Sequence, residues 1–102
     1  MTLDELMEDL DRLAWRAQID FEATERGASS EEAAIAAELR RIAASITVPM
    51  LDALERNGRH PAWVLRLSPH VRGDDPIVRA RRLVHDRSSE VRHLAGQLLG
   101  QP

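Results

Sequence analysis

The chain has 102 residues and a mass of 11.5 kDa, enough for one small domain that buries about two thirds of its unfolded surface. Its apolar fraction of 43% and charged fraction of 30% belong to a folded globular chain rather than a disordered one. All 14 basic residues are arginine and cysteine is absent, which excludes disulfides, thiolate nucleophiles, cysteine-rich zinc sites, Schiff bases and phosphate-loop lysines together.

Thr2 and Glu5 have the spacing of a capping box, in which each side chain satisfies an orphan N–H group, and they predict a helix from Leu3. Leu3, Leu6, Met7, Leu10, Leu13, Ala14, Ala17 and Phe21 then recur at three- and four-residue steps and form one apolar stripe. Gly27 predicts its C-terminal stop. Ser29 and Glu32 repeat the capping-box spacing and predict a second helix. Its stripe is Ile35, Leu39, Ile42 and Ile46, with small alanines beside it, and two such helices pair as a hairpin. Pro49 lacks a backbone N–H, so it either kinks that helix or opens a third carrying Met50, Leu51 and Leu54, which Asn57 and Gly58 end. Pro61, Pro69 and Pro76 divide the remainder into short helices predicted over 61–67, 76–85 and 89–99. No run alternates apolar and polar residues long enough for a strand, residues 62–67 being short and ambiguous. The expected class is all-α: a long N-terminal helical hairpin packed with three or four short C-terminal helices in one domain, residues 1–102.

Charge divides this domain. Residues 1–58 carry 13 acids and 6 arginines, net −7, and residues 59–102 carry 4 acids and 8 arginines, net +4. Each half presents a solvated face, and the two attract one another within the fold. His60, His70, His85 and His93 all fall in the basic half, at spacings of 10, 15 and 8 that match no compact metal motif. His60 and His70 adjoin prolines as turn residues, and Asp74, Asp75 and Asp86 read as caps and turns. Ser68 near His70 has no orienting acid of its own, and no nucleophile elbow, glycine-rich phosphate loop or calcium loop occurs. No enzymatic activity, cofactor or metal is expected.

Trp15 stands five residues beyond Leu10, about 140° round the helix from the stripe, with Ile19 one turn later. Two large apolar residues opposite a complete stripe must be covered either by the C-terminal helices or by another molecule. The second covering implies a small non-catalytic interaction module that docks on another protein or on itself as a homo-oligomer. Trp15 and Ile19 are its anchors, and Asp4, Glu8, Asp11 and Asp20 its acidic rim. The competing reading is a nucleic-acid-binding regulator that uses Arg79, Arg81, Arg82, Arg87 and Arg92. No aromatic residue lies among them to stack bases and the chain is acidic, with a pI near 5.8, so nucleic acid is not the expected partner. Residues 1–10 are acidic where a secretory signal is basic and then apolar, and no run reaches membrane-span length, so a cytoplasmic, membrane-free setting is expected.

One local pattern recurs: Ser68-Pro69-His70-Val71-Arg72, Asp75-Pro76-Ile77-Val78-Arg79 and Ser88-Ser89-Glu90-Val91-Arg92. Each copy reads as a capped helix start with a first buried anchor and a neighbouring arginine. With Asp86 ahead of Val91-Arg92 and Ala95, residues 61–102 resemble a unit of HEAT-type or leucine-rich-variant helical repeats. The resemblance implies an aspartate that closes a turn, a Val-Arg pair that opens the next helix, and stacked units that present a surface to protein or nucleic acid. The copies stand 7 and 13 residues apart, whereas a solenoid repeats every 20 to 50 or so. Residues 46–61, with Thr47, Leu51, Leu54-Glu55 and Gly58-Arg59-His60-Pro61, are similar to the end of a phage-repressor-type helix-turn-helix. That similarity implies a helix after Thr47 that reads bases in the major groove. Its outward positions Pro49, Met50, Asp52 and Ala53 supply no good base reader, and Asp52 and Glu55 would meet phosphates.

Overall fold

A computed structural model describes residues 1–100 as six helices and no strand: α1 (Leu3–Glu25), α2 (Glu32–Ala44), α3 (Val48–Asn57), α4 (Pro61–Leu67), α5 (Pro76–Leu83) and α6 (Ser89–Leu98). A single 3-10 turn, Ser68–His70, extends α4.

The local signals account for most of these boundaries. Thr2 and Glu5 form the complete capping box, each side chain bonded to the other's backbone N–H at 3.2 Å. Thr47 caps α3, placing Pro49 in the first turn where no intrahelical donor is lost, so proline opens a helix rather than kinking one. Gly58 ends α3 at φ +76°, a left-handed conformation that strains any residue with a Cβ. Asp75 caps α5 by accepting from the backbone N–H groups of Ile77 and Val78 at 3.0 and 3.3 Å. Asp75→Ala is expected to cost about 1 kcal/mol, read from urea unfolding.

α1 and α2 form an antiparallel hairpin, since Arg16 and Asp20 bond Glu31 while the Asp9–Arg16 stretch lies beside Glu38 and Arg41. The main core gathers Leu6, Leu10 and Leu13 of α1, Ile42 and Ile46, Leu51 and Leu54 of α3, and Trp63, Val64 and Leu67 of α4. A smaller cluster of Leu65, Ala80, Val91 and Ala95 joins α4, α5 and α6, and Leu83 packs against both. The seven-residue α4 is buried on both sides, which explains why residues 62–67 show no amphipathic period: Trp63, Val64, Leu65 and Leu67 are all interior.

Four expectations need correction. Ser29 does not cap α2; the cap is Glu31, and the entry is held by Asp20, which accepts from the backbone N–H of Glu31 at 2.7 Å and from Ser30 Oγ at 3.1 Å. The apolar stripe of α1 is buried only from Leu6 to Leu13, and Phe21 is 61% exposed, because the loop folds back to Asp20 and leaves the last turn of α1 overhanging. The Val-Arg copies do not share one setting. Val71 is buried but follows the 3-10 turn in extended conformation; Val78 is exposed while Arg79 is buried; Val91 alone anchors a helix with an outward arginine. Finally, α5 ends at Leu83 and α6 at Leu98, each short of its expected limit.

Candidate functional site

The outer face of α1 lies opposite Leu6, Leu10 and Leu13, and no described residue covers Trp15 or Ile19 on it. Trp15 is 69% exposed and Ile19 48% exposed, so the C-terminal helices do not provide the intramolecular cover. Of the four acids expected to rim this face, Asp4 and Glu8 are exposed. Asp11 and Asp20 are engaged within the chain. Asp11 bonds Arg59 Nη2 at 2.9 Å and His60 Nε2 at 2.8 Å, tying α1 to the start of α4, and Asp20 holds the α1–α2 loop. His60 is therefore a half-buried partner of Asp11 as well as a turn residue.

Around the helix from Trp15, the overhanging turn borders a groove of about 880 Å³ between α1, α2, α4 and the start of α6. Ala14, Ala17, Phe21, Ile35, Leu39 and Trp63 form its apolar lining. Arg66 lies over the Trp63 ring at 4.8 Å from its centroid and pairs with Glu90 at the groove's edge. Sequence reasoning passed over this groove because Phe21 continues the stripe in perfect register; the only signal was the mismatch between a stripe running to Phe21 and a second helix too short to cover it.

The arginine cluster is divided by the fold. Arg79, expected at a solvent-facing site, is 2% exposed and bonds three carboxylates: Asp74 at 2.6 and 2.7 Å, Glu55 at 2.7 Å and Asp52 at 2.8 Å. Arg82 chelates Glu55 with two bonds of 2.8 Å. Arg92 donates to the carbonyls of Asp86 and Arg87, both at 2.8 Å, and closes the α5–α6 turn. Of the five, Arg81 and Arg87 are exposed with no such partner described. The opposite charges of the two halves thus meet inside the fold, α3 supplying acids and α5 arginines. Asp74 is a partner of buried Arg79 rather than a turn residue only, and it also accepts from Ser68 Oγ. The same network occupies Asp52 and Glu55, the acids on the helix that the helix-turn-helix similarity would send into DNA.

Burial raises the Asp74 carboxyl, but the hydrogen bonds from Arg79 and Ser68 outweigh it and hold the group below its usual range. The bonds from Arg82 and then Arg79 likewise lower Glu55 against its desolvation. Both acids ionise more readily folded than unfolded, so Glu55 and Asp74 stabilise the fold above their ordinary values of 4.5 and 3.8, respectively, and that contribution is lost as pH falls below them. Urea midpoints are expected to hold steady at neutral pH and to decline below about pH 4.5, with a weaker decline in Glu55→Gln.

Among the described residues no group of three or more His, Cys, Asp or Glu is placed to hold a metal ion, and no helix is long and apolar enough to cross a membrane. No protein-family model, curated protein or solved structure matches the chain.

Proposed function

We propose that the chain is a non-catalytic helical interaction module, an adaptor, regulator or inhibitor that docks the outer face of α1 on another protein chain in the cytoplasm. The observation that carries this reading is the joint exposure of Trp15 and Ile19 on a helix whose opposite face holds the core. An exposed indole and an aliphatic side chain one turn apart bring the apolar area that anchors interfaces, where burial contributes about 25 cal/mol per Å². Glu8 and Arg12 on the same exposed face supply the polar rim that excludes water from such an anchor. Nucleic-acid binding draws no comparable support, since Arg79 and Arg82 are engaged by acids. No shift in the anisotropy of labelled DNA or RNA is expected near physiological salt; binding that weakens with salt and disappears in Arg81→Gln/Arg87→Gln would reverse that assignment.

The absence of cysteine allows the face to be tested in the cell. Ile19→Cys is expected to react with a maleimide about tenfold more slowly in the native host than in dilute purified protein, because a partner occludes it. Arg81→Cys, exposed on α5 and outside the groove beside α1, should react alike in both. Equal reactivity of Ile19→Cys in both settings would mean that the face is idle and the reading wrong.

A further inference from the structure

Beneath the pattern that faces the core, α1 and its C-cap residue Arg26 carry a second one. Glu8, Arg12, Trp15, Ile19, Glu22 and Arg26 follow at steps of four, three, four, three and four residues, the alternation of a heptad seam. At about 100° per residue they occupy only about 80° of arc, on the side away from Leu6, Leu10 and Leu13, and all six are exposed. The seam is about 27 Å long. Along it the order is acidic, basic, apolar, apolar, acidic, basic, a sequence that becomes complementary to itself when reversed.

We infer that this seam pairs with the same seam of a second copy of the chain, α1 against α1 in antiparallel orientation, about a two-fold axis at the level of Ala17. The inference rests on the reading of this face as the interaction surface, and it names the partner and the register. In that register Trp15 meets Ile19 of the second copy, Arg12 meets its Glu22, and Glu8 meets its Arg26. Antiparallel seams set an a position against a d position, as these three layers require. Parallel pairing would set Glu8 on Glu8 and Arg12 on Arg12, like charges throughout. Sliding the antiparallel pair by one heptad would set Arg12 on Trp15 and Glu8 on Ile19, stranding charges against apolar surface. One arrangement alone puts apolar on apolar and every charge on its opposite. The contact is isologous, so it closes as a dimer and does not propagate.

Within one chain Arg12 donates to Asp9 and Glu22 accepts from Gln18 Nε2 at 3.0 Å. Both are exposed contacts that exchange for interchain pairs at little cost. The apolar layers are few, so a dissociation constant on the order of 10 μM is expected.

Light scattering over a concentration series tests the pairing. The mass should rise from 11.5 kDa towards twice that value. Glu8→Arg/Glu22→Arg makes the seam wholly basic and Arg12→Glu/Arg26→Glu makes it wholly acidic; each should stay monomeric, with unchanged helicity by circular dichroism, and an equimolar mixture should dimerise. Thiol cross-linking then reads orientation: Glu8→Cys should link to Arg26→Cys in a mixture and not to itself. A monomeric wild-type chain at about 500 μM, far above the expected constant, would overturn the inference. So would charge variants that self-associate like the wild type, or a Glu8→Cys chain that links to itself. If the wild type is monomeric while Ile19→Cys remains occluded in the cell, the second copy is wrong as partner and the interaction reading survives; if Ile19→Cys is also unprotected, both fall.

Discussion

Replacing Arg79 with alanine is expected to remove about 3–5 kcal/mol of folding stability, a large share of the 5–15 or so available to a domain of this size. The guanidinium lies at the junction of α3, α5 and the turn before α5, where it satisfies Asp74, Glu55 and Asp52 at once. Its removal leaves Asp74, whose side chain is only 4% exposed, as a buried anion with Ser68 as its remaining side-chain donor. Arg79→Lys should recover only part of the loss, because a single ammonium cannot reproduce the fork that serves three carboxylates. Urea unfolding of the two variants beside wild type measures both effects; a loss under about 1 kcal/mol for the alanine variant would show that the network is not needed for the fold.

The second large effect divides one helix by its faces. Leu10→Ala is expected to cost about 2–5 kcal/mol, since Leu10 is fully buried among α1, α2 and α3. Trp15→Ala, five residues later on the exposed side, should change monomer stability by less than about 0.5 kcal/mol. Denaturant titrations well below the dissociation constant expected for the proposed pair give both values. A large loss for Trp15→Ala there would return the residue to the chain's own core.

The elements were legible where a local rule suffices. The Thr2–Glu5 box, the proline at the start of α3 and Asp75 ahead of Pro76 each act within one turn, so spacing alone locates their helices. What spacing cannot carry is long-range pairing. Arg79 and Arg81 look alike in the sequence, and only the approach of α3 to α5 buries one and leaves the other outside. Asp11 and Asp20 differ from Asp4 for the same reason: their partners, Arg59, His60 and the α1–α2 loop, are distant in the chain or defined by a loop conformation. Trp15 was recognisable as standing off the stripe by period alone, whereas its exposure depended on where the C-terminal helices pack. Phe21 shows the converse, a residue in register with the core whose covering helix stops short.

Photo-cross-linking from position 15 in the native host tests the central claim most directly, that the outer face of α1 is where another chain docks. With Trp15→benzoylphenylalanine, irradiation should give one dominant adduct, absent when Ile19→Asp is added and absent when the probe replaces Arg81 instead. An adduct of twice the chain mass identifies the second copy, and one of another mass identifies a different protein. No adduct from position 15 above that from position 81, in a chain that remains helical, would contradict the account.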